Sequence, residues 1–298
     1  MPPATFDIGG DLTVNRLGFG AMRLCGPDII GAPDDEANAR QILRDAVEQG
    51  VDLIDTADSY GPGTSERLIG EALALDGPVP DGRDRVDAED VVVATKAGLL
   101  RNAGGDWLRH GKPDYIRNQV LASRDRLRVD TIDLYQYHAP DEDTPFEDAV
   151  TTFGELQDDG LVRHVGLSNV SADQLETARD HVDVATVQNH YNVVTRDTDR
   201  VGGDGRRVLD ACEEYDIGFI PYFPVGAGDL DTIADTIDPI AEAHGATRYQ
   251  VALSWLLHRS DVTLPIPGTS DRDHLAENVA AADIELTDAE VADLTDAA

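Results

Sequence analysis

A short apolar run followed by an amphipathic stretch recurs eight times along this chain, and that alternation restricts the fold more than any other feature. The apolar runs are "RLGFG" (16–20), "VDLID" (51–55), "VVVAT" (91–95), "IDLYQYH" (132–138), "HVGLS" (164–168), "VATVQ" (184–188), "GFIPY" (218–222) and "VTLPIP" (262–267). Helical patterns with recognisable ends lie between them. "ANARQILRDAVEQG" closes on Gly50, and "PFEDAVTTFGELQDDG" opens beside Pro145 and closes on Gly160, which fits the preference for proline near a helix start and glycine just past its end. Strand, helix, strand, repeated, predicts a parallel sheet.

Two α/β arrangements compete for such a sheet. An open, dinucleotide-binding sheet carries GxGxxG between its first strand and helix, and "GFGAMR" supplies two glycines without the third. Eight regular units favour a closed (β/α)8 TIM barrel, a fold that fills a chain of 298 residues as a single domain over 1–298. Short strands around Phe6–Ile8 and Leu12–Val14 form an N-terminal β-hairpin, and a C-terminal extension follows the eighth unit. In a barrel of this kind the chemistry sits at the carboxyl ends of the strands.

Composition narrows the partners. Asp and Glu number 58 against 24 Lys plus Arg, a formal charge of −34, yet 41% of residues are hydrophobic, which argues against a disordered acidic chain. The acids are scattered rather than gathered in a tail. Such a coat repels itself at low salt, whereas at roughly molar salt the Debye length falls to about 3 Å and the repulsion is screened. The pattern resembles the halophilic proteins of salt-accumulating microbes. It makes nucleic acid and anionic membrane surfaces unfavourable partners. Cys25 and Cys212 have no CxxC spacing, no 18-residue apolar run occurs, and "MPPATFDIGGDL" lacks the basic start and apolar core of a signal peptide. A cytoplasmic protein is expected. The oligomeric state is left open.

The strand ends supply the site candidates: Asp55, Lys96, His138, Ser168 with Asn169, Gln188 and Tyr222. Any one of these has a structural explanation, in an ion pair, a backbone hydrogen bond or a packed ring. Together on one rim they point to a site. Lysine stands only at Lys96 and Lys112 in the whole sequence. An ammonium at the end of "VVVAT" is costly to desolvate unless it is paired, and Asp55 is the expected partner. Tyr60, five residues past Asp55 and followed by Gly61, can turn back over the barrel mouth. A tyrosine titrates near about 10 in isolation, and an adjacent ammonium lowers that value by stabilising phenolate. Tyr60 with Lys96, Asp55 and His138 suits proton transfer to a carbonyl oxygen.

"RLGFGAMRL", "DTADSYGPGTSERLIGEAL", "VVVATKAG", "DTIDLYQYHAPD", "RHVGLSNVS", "VQNHYN", "PYFPVGAG" and "IPGTSDRDHLAEN" resemble, in order and over nearly the whole chain, the aldo-keto reductase superfamily. The short early loops are similar to its microbial branch, which includes pyridoxal reductases. The resemblance implies a catalytic tetrad of Asp55, Tyr60, Lys96 and His138, with Tyr60 the general acid in carbonyl reduction, and hydride from NADP, with NAD a rival. It also implies a carbonyl or alcohol as the small-molecule substrate. Ser168, Asn169 and Gln188 match groups that read the nicotinamide carboxamide, and Tyr222 matches the ring stacked on it. Gly20, Met22, Phe223, Pro224, Gly226, Gly268, Thr269, Ser270, Arg272, Glu277 and Asn278 complete the implied cofactor surface. Ser270 and Asp273 have capping-box spacing, and backbone donors at that helix start suit phosphate.

The resemblance has one departure. Many NADPH-using relatives carry lysine where Gly268 stands and arginine where His274 stands, both holding the 2′-phosphate; Arg272 could substitute, and backbone, Thr269 or Ser270 contacts could hold the phosphate. Met22, Trp107 and Phe223 are candidates for an aromatic substrate wall or for ordinary packing. Asp141, Glu142 and Asp143 read as a solvated acidic loop, and no metal-ligand spacing occurs. A barrel glycosidase needs two flanking carboxylates, whereas Asp55 is the sole acid among these strand ends. A second reading within the superfamily is a redox-sensing regulatory subunit of a membrane channel, binding cofactor with slow turnover.

Overall fold

The computed structural model describes residues 2–73, 91–196 and 205–297. Seven parallel strands form one curled sheet in sequence order: β3 (Phe19–Gly20), β4 (Leu53–Asp55), β5 (Val92–Ala97), β8 (Ile132–Tyr137), β9 (Val162–Ser168), β10 (Val184–His190) and β11 (Gly218–Tyr222). Ahead of them, β1 (Thr5–Ile8) and β2 (Leu12–Asn15) pair antiparallel. The alternation of this hairpin turns Phe6, Ile8, Leu12 and Val14 inward, where they join the core with Leu53, Leu134 and Val165 and cover the amino ends of the strands. A second antiparallel hairpin, β6 (Leu99–Arg101) and β7 (Trp107–Arg109), rises from the carboxyl end of β5.

Helices follow the strands as the amphipathic stretches require. In chain order they are α1 (Glu36–Glu48), α2 (Thr64–Leu73), α3 (Pro113–Leu127), α4 (Phe146–Asp158), α5 (Ala172–Arg179), α6 (Gly205–Tyr215), α7 (Ala234–His244), α8 (Arg248–Arg259), α9 (Arg272–Ala280) and α10 (Asp288–Asp296). In α4, Ala149, Val150, Phe153 and Leu156 are buried, one apolar stripe facing the sheet. None of the helices among the described residues is long and apolar enough to cross a membrane.

The expected eighth strand is corrected by the structure. "VTLPIP" forms no regular ladder; its one bridge joins Thr263 to Phe219. It nevertheless closes the barrel. Phe219 N donates to Val262 O and Leu264 N to Phe219 O on one side, while Gly18 N donates to Pro265 O and Gly20 N to Pro267 O on the other. Pro265 and Pro267 have no N–H to return, so the second set of bonds runs one way. The first strand is also shorter than expected, reduced to Phe19–Gly20. The architecture is an α/β barrel, open in regular ladder between β11 and β3 and bridged there by residues 262–267.

Candidate active site

A cavity of about 340 Å³ opens at the carboxyl ends of the strands. Its floor is polar and buried. Asp55 ends β4, and Lys96 lies on β5 opposite Gln136 of β8. Lys96 is 0% exposed, and its Nζ donates to Asp55 Oδ1 at 2.8 Å, Asp55 Oδ2 at 2.6 Å and the Thr56 carbonyl at 2.8 Å. Gln188 Nε2 donates to Asp55 Oδ1 at 2.7 Å and Gln136 Nε2 to the same oxygen at 3.2 Å. The pairing that a buried ammonium requires is therefore present, within a network that satisfies the carboxylate as well. Gln136 was not singled out in the sequence, although a lone amide inside "IDLYQYH" is a legible signal. Gly166 makes room for it: a Cβ there would lie 2.3 Å from Thr186 Oγ1 and 2.9 Å from Gln136 Cγ.

Tyr60 sits on the turn after β4. Gly61 and Gly63 both hold positive φ, which reverses the chain into α2 and leaves the Tyr60 ring over the floor. Lys96 Nζ is 5.3 Å from the ring centroid. His138, just past β8, meets the ring edge-on at 5.8 Å between centroids. Burial and the nearby Lys96 ammonium hold His138 well below the usual imidazole range, so it is neutral near pH 7. Burial likewise lowers Lys96, against the pull of Asp55.

One electrostatic expectation is overturned. The ammonium was expected to lower the Tyr60 hydroxyl; instead burial, with Asp55 next, pushes it well above 10. The donors of Lys96 are turned to Asp55 and Thr56, and none reaches the phenol. Tyr60 is held as a protonated phenol.

The remaining predicted residues divide into two groups. Gly20, Met22, Ser168, Asn169, Gln188, Tyr222, Phe223, Pro224, Gly268 and Asn278 line the cavity with Asp55, Tyr60 and His138. Asn169 adopts φ +60 and Phe223 φ +52, unusual for residues with side chains and common where a site fixes the backbone. Asn169 Nδ2 donates to the His138 carbonyl at 2.8 Å, and the Tyr222 hydroxyl donates to Asn169 Oδ1 at 2.9 Å. Tyr222 also stacks on His190 at 5.3 Å and 7°. Trp107, Leu99, Ile266 and Pro267 complete the walls, with Arg23 and Val225 at the rim.

Lys96 lies beneath the cavity rather than on its surface, and Gly226, Thr269, Ser270, Arg272 and Glu277 are not among the residues lining it. Gly226 begins the turn Gly226–Ile233 at φ +67. Thr269 Oγ1 accepts from Asp271 N at 3.0 Å. The proposed cap is corrected too: Asp271, not Ser270, caps α9, accepting from Asp273 N at 2.8 Å and His274 N at 3.1 Å. A carboxylate therefore occupies the donors expected to face phosphate. Arg272 Nε donates to Asp45 Oδ2 of α1 at 2.5 Å, and the Glu277 carbonyl accepts from Gln250 Nε2 at 3.0 Å.

Asp58 was also missed by the sequence reading. It is buried, its Oδ2 accepts from the Tyr115 hydroxyl at 2.7 Å, and its Oδ1 has no hydrogen-bond partner among the described residues. Burial and the neighbouring Glu66 carboxylate push it up to about 8. Asp141 is no loose acid either: it accepts from Gly111 N, Asp143 N and Thr144 Oγ1, tying down its loop. Among the described residues no cluster of His, Cys, Asp and Glu is arranged to hold a metal.

A barrel mouth with a buried lysine–aspartate pair under a tyrosine and a histidine defines a class, and the chain belongs to the aldo/keto reductase family, whose model matches residues 16–298. It is similar to an oxidoreductase of Schizosaccharomyces pombe, 40% identical over 93% of this chain and 85% of that protein. It is likewise similar to pyridoxine 4-dehydrogenase of Escherichia coli, 37% identical over 97% of this chain and 96% of that one. Among solved structures, the thermostable aldo-keto reductase Tm1743 superposes with a TM-score of 0.83 at 28% identity, covering 99% of both chains. The protein is an NAD(P)-dependent enzyme of the carbonyl-reducing class.

The residues present fit a nicotinamide cofactor. The side-chain amides and hydroxyl of Ser168, Asn169 and Gln188 converge on the cavity beside the flat ring of Tyr222, a set that can read a planar carboxamide. Along the rim from Tyr222, at the seam between β11 and β3, the backbones of Gly20 and Gly268 approach so closely that a Cβ on Gly268 would lie 2.4 Å from Gly20 O.

Proposed function

We propose that the chain reduces an aldehyde or ketone, or oxidises the corresponding alcohol, with Tyr60 as the general acid. The observation that carries this reading is the buried Tyr60 phenol meeting the His138 imidazole edge-on at 5.8 Å between centroids, above a fully paired Lys96–Asp55 floor. A bound nicotinamide supplies the hydride. Tyr60 gives its proton to the carbonyl oxygen as negative charge develops there, and His138, neutral, orients that oxygen by a hydrogen bond. The phenolate left on Tyr60 has Lys96 Nζ 5.3 Å from its ring centroid, an attraction that offsets part of the cost of the buried charge. Asp55, fixed by Gln188 and Gln136, keeps the ammonium in register.

For the substrate, a pyridoxal-type aldehyde is favoured by the similarity to pyridoxine 4-dehydrogenase over nearly the whole chain and by the indole and phenol that bound the cavity. NADPH is the proposed donor, with weak discrimination against NADH, because the 2′-phosphate end lacks a free cation at Gly268 and His274 and carries Asp271. The scattered acids and free cysteines support a salt-rich, reducing cytoplasm as the working environment.

The test is a spectrophotometric panel of pyridoxal, simple aldehydes and sugars with NADPH and NADH, at low and molar salt, run on the wild-type protein and on Tyr60→Phe. The variant is expected to lose turnover by roughly a hundredfold to ten-thousandfold while its cofactor dissociation constant stays unchanged. Wild-type turnover in Tyr60→Phe would remove the general-acid assignment.

A further inference from the structure

The β6–β7 hairpin carries Trp107, 41% exposed, whose ring meets Tyr60 edge-on at 6.2 Å between centroids. Its position is not set by burial. Arg101, across the hairpin and paired with Trp107 in register, places its guanidinium 3.8 Å from the centre of the indole. The same guanidinium donates to Asp28 O at 2.8 Å, Ile29 O at 3.1 Å and Gly105 O at 2.8 Å. Ile29 O also accepts from Gly61 N, the residue next to Tyr60. One side chain thus joins the indole, the loop after β3 and the turn that carries the phenol.

The loop is distorted to make this contact. Asp28 and Ile29 both adopt left-handed φ, +56 and +61, a conformation costly for any L-residue and most of all for a β-branched one. Such strain persists where surrounding contacts over-determine it, and it clusters at binding sites. Two consecutive left-handed residues turn the Asp28 and Ile29 carbonyls toward Arg101, which answers both.

We propose that Arg101 is a positioning residue for the carbonyl substrate: it fixes the Trp107 indole against Tyr60 and so sets the outer wall of the substrate cavity. This rests on the carbonyl-reductase reading above. A planar, delocalised guanidinium can stack and fork to several acceptors at once, whereas an ammonium is a point charge that cannot cover the ring. A flat substrate such as pyridoxal, which needs the indole face, depends on that wall; glyceraldehyde, which does not span the cavity, depends on it little.

Two variants test it, Arg101→Lys and Arg101→Leu. In both, KM for pyridoxal is expected to rise roughly fivefold to tenfold with kcat within about twofold, while KM for glyceraldehyde and the NADPH dissociation constant from equilibrium dialysis stay at wild-type values. A structural readout accompanies the kinetics. The chain has two tryptophans, and because Trp255 is 0% exposed, acrylamide quenching of fluorescence reports Trp107. Quenching should steepen in both variants as the indole is released. Unchanged quenching overturns the proposal, as does a loss of NADPH affinity in proportion to the pyridoxal KM. If the wild-type protein reduces neither aldehyde, the functional reading falls, and the quenching measurement still decides whether Arg101 holds Trp107.

Discussion

The floor of the cavity and the rim beside it are built by different means. Asp55, Lys96, Gln136 and Gln188 stand on β4, β5, β8 and β10, are buried, and answer one another at 2.6–3.2 Å. The rim from Gly268 to Asn278 lies on a loop and most of α9, where Ser270 is exposed and Asp271, Arg272 and Glu277 are engaged in capping, an ion pair and a backbone contact. A strand register holds chemistry in place with little dependence on what else is bound, whereas a loop holds what its own turns and caps allow. The proposed proton transfer from Tyr60 therefore rests on the floor beneath it, and the proposed choice between cofactors on the rim.

The contrast breaks most severely if the floor tolerates loss of its cation. Lys96→Met leaves Asp55 buried against two amides, and it should cost about 3–5 kcal/mol of stability in urea titration along with nearly all turnover. A stable Lys96→Met protein would show that the network is not fixed by its central charge.

A smaller effect concerns Asp58, beside the floor. Its folded-state value is pushed up to about 8 from an ordinary carboxyl value of 3.8, so the folded protein binds the extra proton between those limits. Stability contributed by that protonation is present at low pH and is lost as pH rises through about 8. Asp58→Asn, which keeps the Tyr115 contact without the charge, should raise Tm at pH 9 by about 2–4 °C or more, with a distinctly smaller rise at pH 5. Equal shifts at both pH values, measured by calorimetry, would contradict a buried neutral acid.

The smallest effect is expected at the rim. Asp271→Asn retains a good N-cap, since asparagine and aspartate cap about equally, but removes the negative charge. NADPH affinity should improve by about threefold to tenfold, with NADH affinity unchanged. Equal gains for both cofactors would place the 2′-phosphate elsewhere.

The two regions also differ in how much of them could be read from sequence. The barrel was legible because each unit repeats the same apolar run and amphipathic helix, and Lys96 was legible because a buried ammonium demands a partner. The sense of the Tyr60 shift was not, since it depends on where the Lys96 donors point and on how completely the ring is enclosed. Ser270 and Asp271 are both competent caps one residue apart, and spacing alone does not choose between them; the backbone did, by turning Asp271 toward Asp273 N and His274 N. Asp58 looked like one more acid in an acidic chain until its surroundings were known. The eighth strand failed as a regular ladder because of Pro265 and Pro267, visible from the start but easily read as ordinary apolar residues.

Those two prolines give the barrel a seam. Elsewhere each strand of the sheet both gives and receives hydrogen bonds along its neighbour, but at this joint residues 265 and 267 only receive, from Gly18 and Gly20. A side chain adds bonds at its base. Arg16, 2% exposed and lowered to about 10 by its burial, donates to the Leu257, Ser260 and Thr263 carbonyls at the base of the joint. The cylinder is therefore fastened from within by one guanidinium at the point where its weave is thinnest, and the first and last thirds of the chain are held together by a bond that belongs to no strand.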